Sequence, residues 1–149
     1  MKSAFGFLVT AAVVFLLVSA AIAGATPAAR SAKVTTAPTS LGRVVADGSG
    51  RTLYLFEKDT TTRSACSGTC AVYWPPLLAR GVLAIQGVQR SALGTIRRPD
   101  GTHQVTYAGH PLYLFSGDTR RGQTNGEGLH DFGAGWYALT PSGKKIKPH

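Results

Sequence analysis

The chain has 149 residues, 44% of them hydrophobic, and carries 16 Lys and Arg against 7 Asp and Glu, a formal charge of +9. That length leaves room for one domain once an N-terminal leader is set aside. A basic exported chain is drawn to anionic wall polymer or a membrane surface. The cations are dispersed, with pairs at Arg97-Arg98 and Arg120-Arg121 and a tail of Lys144, Lys145 and Lys147. They read first as a solvated surface, and no specific nucleic-acid partner is expected.

In chain order, residues 1–23 read as a secretory signal: Lys2, an apolar run over 5–19, and the small-x-small site Ala21-Ile22-Ala23. The run is also long enough for an uncleaved membrane anchor, the alternative to cleavage. No cysteine lies near the site, so there is no lipobox. Residues 24–40 are small, Pro- and Thr-rich, and read as a disordered linker. The folded domain is expected over 41–140.

Leu41-Gly42-Arg43-Val44-Val45 reads as a strand, Asp47-Gly48-Ser49-Gly50 as a turn, and Leu53-Tyr54-Leu55-Phe56 as the returning strand. Alternation puts Tyr54 and Phe56 on one face and Leu53 and Leu55 on the other. Asp59 falls in the next turn, where a carboxylate accepts bonds from nearby backbone N–H groups. Cys66 and Cys70 are the only cysteines. In an oxidising compartment they read as a disulfide that fixes local shape, and Ala71 after Cys70 excludes a c-type haem motif. Ala71-Val72-Tyr73-Trp74 follows, stopped by Pro75-Pro76, which cannot donate ladder bonds. Trp74 is expected to cover the Tyr/Phe face with its indole N–H on a carbonyl.

Between the halves, Val82, Leu83 and Ile85 read as a short strand, and 88–93 as a helical turn ended by Gly94. Thr95-Ile96-Arg97-Arg98, the turn Pro99-Asp100-Gly101 and Gln104-Val105-Thr106-Tyr107 form a hairpin. Ala108-Gly109-His110-Pro111 then turns into Leu112-Tyr113-Leu114-Phe115, followed by Asp118. The glycine-rich loop 120–135 stands where the first half has its cysteines, and Trp136-Tyr137-Ala138-Leu139 closes the second half. Residues 141–149 read as a frayed basic tail.

Tyr54, Phe56 and Asp59 thus recur as Tyr113, Phe115 and Asp118, each 59 positions on. Repetition of this kind implies one architectural unit used twice, here over about 50–77 and 109–139. The expected fold is all-β: a small, mostly antiparallel sandwich or barrel-like domain of two related units, with little helix outside the signal segment. No Ser/His/Asp or paired-Glu arrangement recurs with the motif, so aromatic core plus turn-forming Asp is the preferred reading over an active site. No catalytic residue, cofactor or metal is assigned. His103, His110 and His130 lack ligand spacing, and Asp118, Asn125 and Glu127 miss the EF-hand pattern. His110 and His130 flank the second unit and are carried as speculative binding residues. A redox or metal-handling role for Cys66 and Cys70 is the alternative to a non-enzymatic module, although no thioredoxin-like pattern surrounds them.

The paired Tyr-x-Phe-x-x-Asp units, Cys66-Ser67-Gly68-Thr69-Cys70-Ala71 leading to Trp74-Pro75-Pro76-Leu77, and Arg98-x-Asp100-Gly101 leading to Thr106-Tyr107 and Pro111-Leu112-Tyr113 resemble the bacterial "secreted repeat of unknown function". Members are often described as predicted lipoproteins. The resemblance spans about 41–139 and implies an exported, envelope-associated β domain without an established activity. Only the motif positions Tyr54, Phe56, Asp59, Tyr113, Phe115 and Asp118 carry over. The missing lipobox cysteine favours release or loose retention in the envelope.

Overall fold

The computed structural model describes residues 31–79 and 84–147. The signal segment 1–23, the stretch 24–30, and Val82 and Leu83 of the expected linking strand lie outside the described residues. The fold is mostly β, in three small three-stranded sheets, with no closed barrel among the described residues. No described helix is long and apolar enough to cross a membrane.

β1 (Lys33–Thr39) and β2 (Gly42–Asp47) form an antiparallel hairpin. β1 corrects the expectation of a disordered linker over 24–40. Its composition is too small and polar to make a core alone, but pairing with β2 satisfies its backbone, and Val34 and Ala37 are buried. Pro38 is tolerated because β4 (Ala84–Ile85) pairs only with Lys33 and Val34, leaving the far end of β1 an edge.

β3 (Tyr54–Phe56) pairs with β9 (Ala134–Ala138), which also pairs with β8 (His130–Asp131). A single turn, α1 (Thr69–Tyr73), precedes Trp74. The extended stretch of the first closing segment therefore comes after the tryptophan, at Pro75–Leu78, rather than before it. The third sheet holds β5 (Leu93–Arg97), β6 (His103–Tyr107) and β7 (His110–Pro111). The helical turn expected at 88–93 is a 3₁₀ turn at Arg90–Ala92, and Gly94 lies inside β5 rather than capping a helix.

The two halves are exchanged. β3 of the first half pairs with β9 of the second, and Tyr113 of the second bridges to Pro76 of the first. Val45 donates to the Leu139 carbonyl at 2.8 Å and accepts from Leu53 at 2.9 Å. Val105 repeats this with Leu77 at 2.8 Å and Leu112 at 3.0 Å. Each closing segment therefore completes the other half. The hairpins β1–β2 and β5–β6 belong to the repeat, so each unit begins earlier than position 50 or 109. Between the halves, Tyr54 and Tyr113 exchange both backbone bonds, at 2.9 and 3.0 Å, the pattern of a directly opposed antiparallel pair. An approximate two-fold axis passes between them.

Alternation along these strands separates two cores. Leu53, Leu55 and Leu112 join an aliphatic cluster with Val34, Val45, Val105 and Leu139. Tyr54, Phe56 and Tyr113 join an aromatic cluster with Trp74, Trp136 and both cysteines. The tail expected to fray is held: Ile146 donates to Ala138, Lys144 accepts from Thr140, and Ile146 packs on the aromatic cluster. The Lys145 ammonium pairs with Glu57 and lies 4.6 Å from the Tyr137 ring centre. Backbone pairing and one apolar side chain order a segment whose composition alone would leave it solvated.

Because neither half can satisfy its own strands, residues 31–79 and 84–147 prepared as separate chains are expected to be unfolded alone. Mixed, they should recover the near-UV circular dichroism of the intact protein. A native-like signal from either fragment by itself would contradict the exchanged arrangement.

Candidate functional site

The six motif residues converge at the axis. Phe56, Trp136, Trp74 and Phe115 form a four-ring column with successive centroid distances of 4.1, 3.9 and 4.4 Å. The two tryptophans are stacked within 7°. Tyr54 meets Trp74 edge-on at 5.5 Å, and Tyr113 meets Trp136 edge-on at 5.1 Å. Edge-to-face contacts put the positive ring rim on the negative π face, and such pairs add about 0.5–1.5 kcal/mol each beyond burial.

Both tyrosines are fully buried, so their hydroxyls need partners inside the protein. The partners are crossed. Tyr54 donates to Asp118 Oδ2 at 2.5 Å, and Tyr113 donates to Asp59 Oδ2 at 2.7 Å. The second oxygen of each carboxylate closes its own loop: Asp59 Oδ1 accepts from the Ala65 N–H at 2.7 Å, and Asp118 Oδ1 from the Asn125 N–H at 2.9 Å. The aspartates thus shape turns and also pin the opposite unit, a second role the sequence reading did not assign. Burial, followed by the facing carboxylate, raises both tyrosine pKa values far above the ordinary phenolic range. Burial likewise raises the Asp59 carboxyl.

The two ends of the column are finished differently. Around Tyr113, Ser64 Oγ lies 2.6 Å from the hydroxyl, and buried Arg98 donates to Ser64, to Gln104 Oε1 and to the Cys66 carbonyl at 2.8, 2.6 and 2.7 Å. The Cys66–Cys70 disulfide shapes the loop that presents that carbonyl. Around Tyr54 the glycine loop approaches instead. Gly126 N–H donates to the tyrosine oxygen at 3.3 Å, and a Cβ there would meet Trp74 and Tyr54 at 3.0 Å or less. Only glycine lets the backbone come so near the rings. Ser64, Arg98, Gln104 and Gly126 carry no assigned role at this core in the sequence, because long-range hydrogen bonds leave no periodic signal.

The indole partners also differ. Trp136 Nε1 donates to the Asp131 carbonyl at 3.1 Å, whereas buried Trp74 Nε1 has no partner among the described residues. The expected carbonyl for Trp74 is absent because the first unit has α1 where the second has β8, and the Cys70 carbonyl is taken by the Trp74 backbone N–H.

His110 and His130 are not brought into one ligand set. His110 lies half-buried on β7 of one sheet, its pKa lowered by burial, and His130 lies exposed on β8 of another. Among the described residues no three His, Cys, Asp or Glu side chains converge as a metal set. Cys66 and Cys70 are both buried, behind the aromatic column.

Two substitutions separate the crossed bonds. Tyr54→Phe leaves buried Asp118 with the Asn125 N–H alone and is expected to cost about 3 kcal/mol, the upper range for a bond to a charged group. Tyr113→Phe leaves Asp59 near Arg98 and should cost about 1.5 kcal/mol. Urea denaturation measures both. The raised tyrosine pKa values also set an alkaline limit. Above about pH 10 the unfolded chain releases phenolic protons that the folded chain retains. Stability present below that pH should therefore fall as pH rises, by about 1.4 kcal/mol per unit for each of Tyr54 and Tyr113. Tyr54→Phe should flatten this slope, and an unchanged slope would show that its hydroxyl is not held protonated.

No curated protein and no solved structure matches the chain. The family model described as "secreted repeat of unknown function" matches it twice, over residues 35–78 and 94–140. Both matches take in the hairpins β1–β2 and β5–β6, in agreement with the structural repeat. They cover more than half of the chain, which therefore belongs to the secreted repeat family and is an extracytoplasmic module.

Proposed function

We propose that this module works by binding, without catalysing a reaction, at an anionic polymer of the cell wall. The observation that carries the reading is the internal use of the repeated polar groups. Both motif tyrosines are buried in the aromatic core and each is bonded to a motif aspartate, so the repeated polar groups are already paired with one another. The charge left facing solvent is predominantly basic. Arg63, Arg97, Arg120, Arg121, Lys144 and Lys147 are exposed, while Asp47 and Glu57 are paired with Arg51 and Lys145. Dispersed cations of this kind give modest, salt-dependent attraction to a polyanion.

The purified protein is expected to sediment with isolated wall material at low ionic strength and to be released progressively by salt. Retention on anionic vesicles but not on wall material would redirect the reading to a membrane surface. No salt-sensitive retention on either would end it. The buried sulfurs argue for a shape-fixing disulfide, since exchange requires a thiolate to reach a sulfur atom. Thiol titration of the native protein in mild reductant should find no free thiol until unfolding. Ready reduction of the folded protein would instead favour the redox role.

A further inference from the structure

The β8–β9 hairpin turns on two residues, Phe132 and Gly133, between paired Asp131 and Ala134. Both have positive φ, 57° and 88°, the pattern of a type I′ turn. Asn, Asp or Gly suits the first of these positions, and a bulky side chain there is strained. The Phe132 ring is not compensated by burial, since the residue is 42% exposed. Its ring neighbour is Tyr73 on α1, 53% exposed, with centroids 6.3 Å apart and planes tilted by 38°. Tyr73, Asp131 and Phe132 line an open cleft of about 310 Å³. Among the described residues no hydrogen bond or ion pair holds the Asp131 carboxylate, whereas the other six acids are all engaged.

We propose that the Tyr73–Phe132 cleft is a carbohydrate subsite that takes one pyranose ring of a glycan. The C–H groups on a sugar face carry partial positive charge and match the negative faces of two exposed aromatic rings. Each sugar hydroxyl both donates and accepts. The cleft offers an acceptor in Asp131, and the Lys58 ammonium lies 3.7 Å from where a Cβ on Gly133 would stand, a donor beside the turn. A cationic guest would suit the aromatic pair and Asp131 but would be repelled by Lys58. The volume lies at the lower end of small-molecule sites, about 300–1,000 Å³, which fits one ring of a longer chain. The strain at Phe132 is then maintained for contact with the ligand. This deepens the wall-binding reading by adding a component that does not depend on charge.

Phe132→Asn provides the test. It installs the Asn-Gly pair that a type I′ turn favours, so Tm should rise, while one wall of the cleft is lost. The full chain, isotope-labelled, is titrated with tetra-N-acetylchitotetraose, cellotetraose and muramidase-released wall fragments and followed by NMR. The expected result is shifts confined to Tyr73 and the Asp131–Phe132–Gly133 turn with at least one of these. They should persist at about 1 M salt, where the Debye length is about 3 Å. Phe132→Asn and Tyr73→Ala should each weaken binding at least about tenfold. No localised shift with any of the three probes, or undiminished binding by Phe132→Asn, overturns the proposal. Shifts of the same residues with phospholipid vesicles and not with sugars would overturn it in favour of a lipid surface. Salt-released retention without these shifts would leave the charge-based reading standing and remove the subsite alone.

Discussion

Two phenolic hydroxyls enclosed in an aromatic core, each donating to a carboxylate of the opposite half, are the constraint on which this fold depends. A buried hydroxyl without a partner and a buried carboxylate without donors are both costly. Placing Tyr54 on Asp118 and Tyr113 on Asp59 resolves the two problems together. It does so only when both units are present. The same logic runs through the backbone, where Leu77 and Leu139 complete the other unit's ladder. The duplication is therefore one interlocked core rather than two beads.

Symmetry is kept where packing demands it and abandoned where it does not. The four-ring column needs Phe56, Trp136, Trp74 and Phe115 in nearly equivalent places, and they are. The surrounding loops each deliver a backbone N–H to their own aspartate, from Ala65 and from Asn125, but they enclose the tyrosine hydroxyls by unlike means. One uses a disulfide, a buried arginine and Ser64; the other uses close backbone approach at Gly126. The same freedom makes α1 in one unit and the β8–β9 hairpin in the other. Since their tryptophans stack at the axis, these dissimilar elements are drawn side by side, which brings Tyr73 against Phe132. The exposed cleft is thus a consequence of broken symmetry next to a symmetric core.

The alternation of Leu and aromatic residues in the repeated block already divided the interior into its aliphatic and aromatic faces, because strand period two leaves no other choice for a run buried on both sides. The turn at Asp100-Gly101 and the hairpin around it were equally legible, since Asp and Gly act there through their own backbones. What misled was composition read without partners. Lys33–Thr39 and the segment reaching Ile146 look soluble in isolation, yet each gains order from a strand it pairs with. Trp74 was expected to bond a carbonyl, and a helical turn occupies the place from which one would have come.

By itself the sequence determined that one β unit is used twice, that its tyrosines and phenylalanines face one way, and that its aspartates follow in turns. These are local properties, carried by periodicity and by side chains acting on nearby backbone. Only the tertiary structure decided that each tyrosine answers to the other unit's aspartate, that the closing segments are exchanged, and that Tyr73 and Phe132 share a surface. Those facts join residues up to 94 positions apart, as Val45 and Leu139 are. Contacts at such separation are chosen by the packing of the whole chain, and no short stretch of it records them.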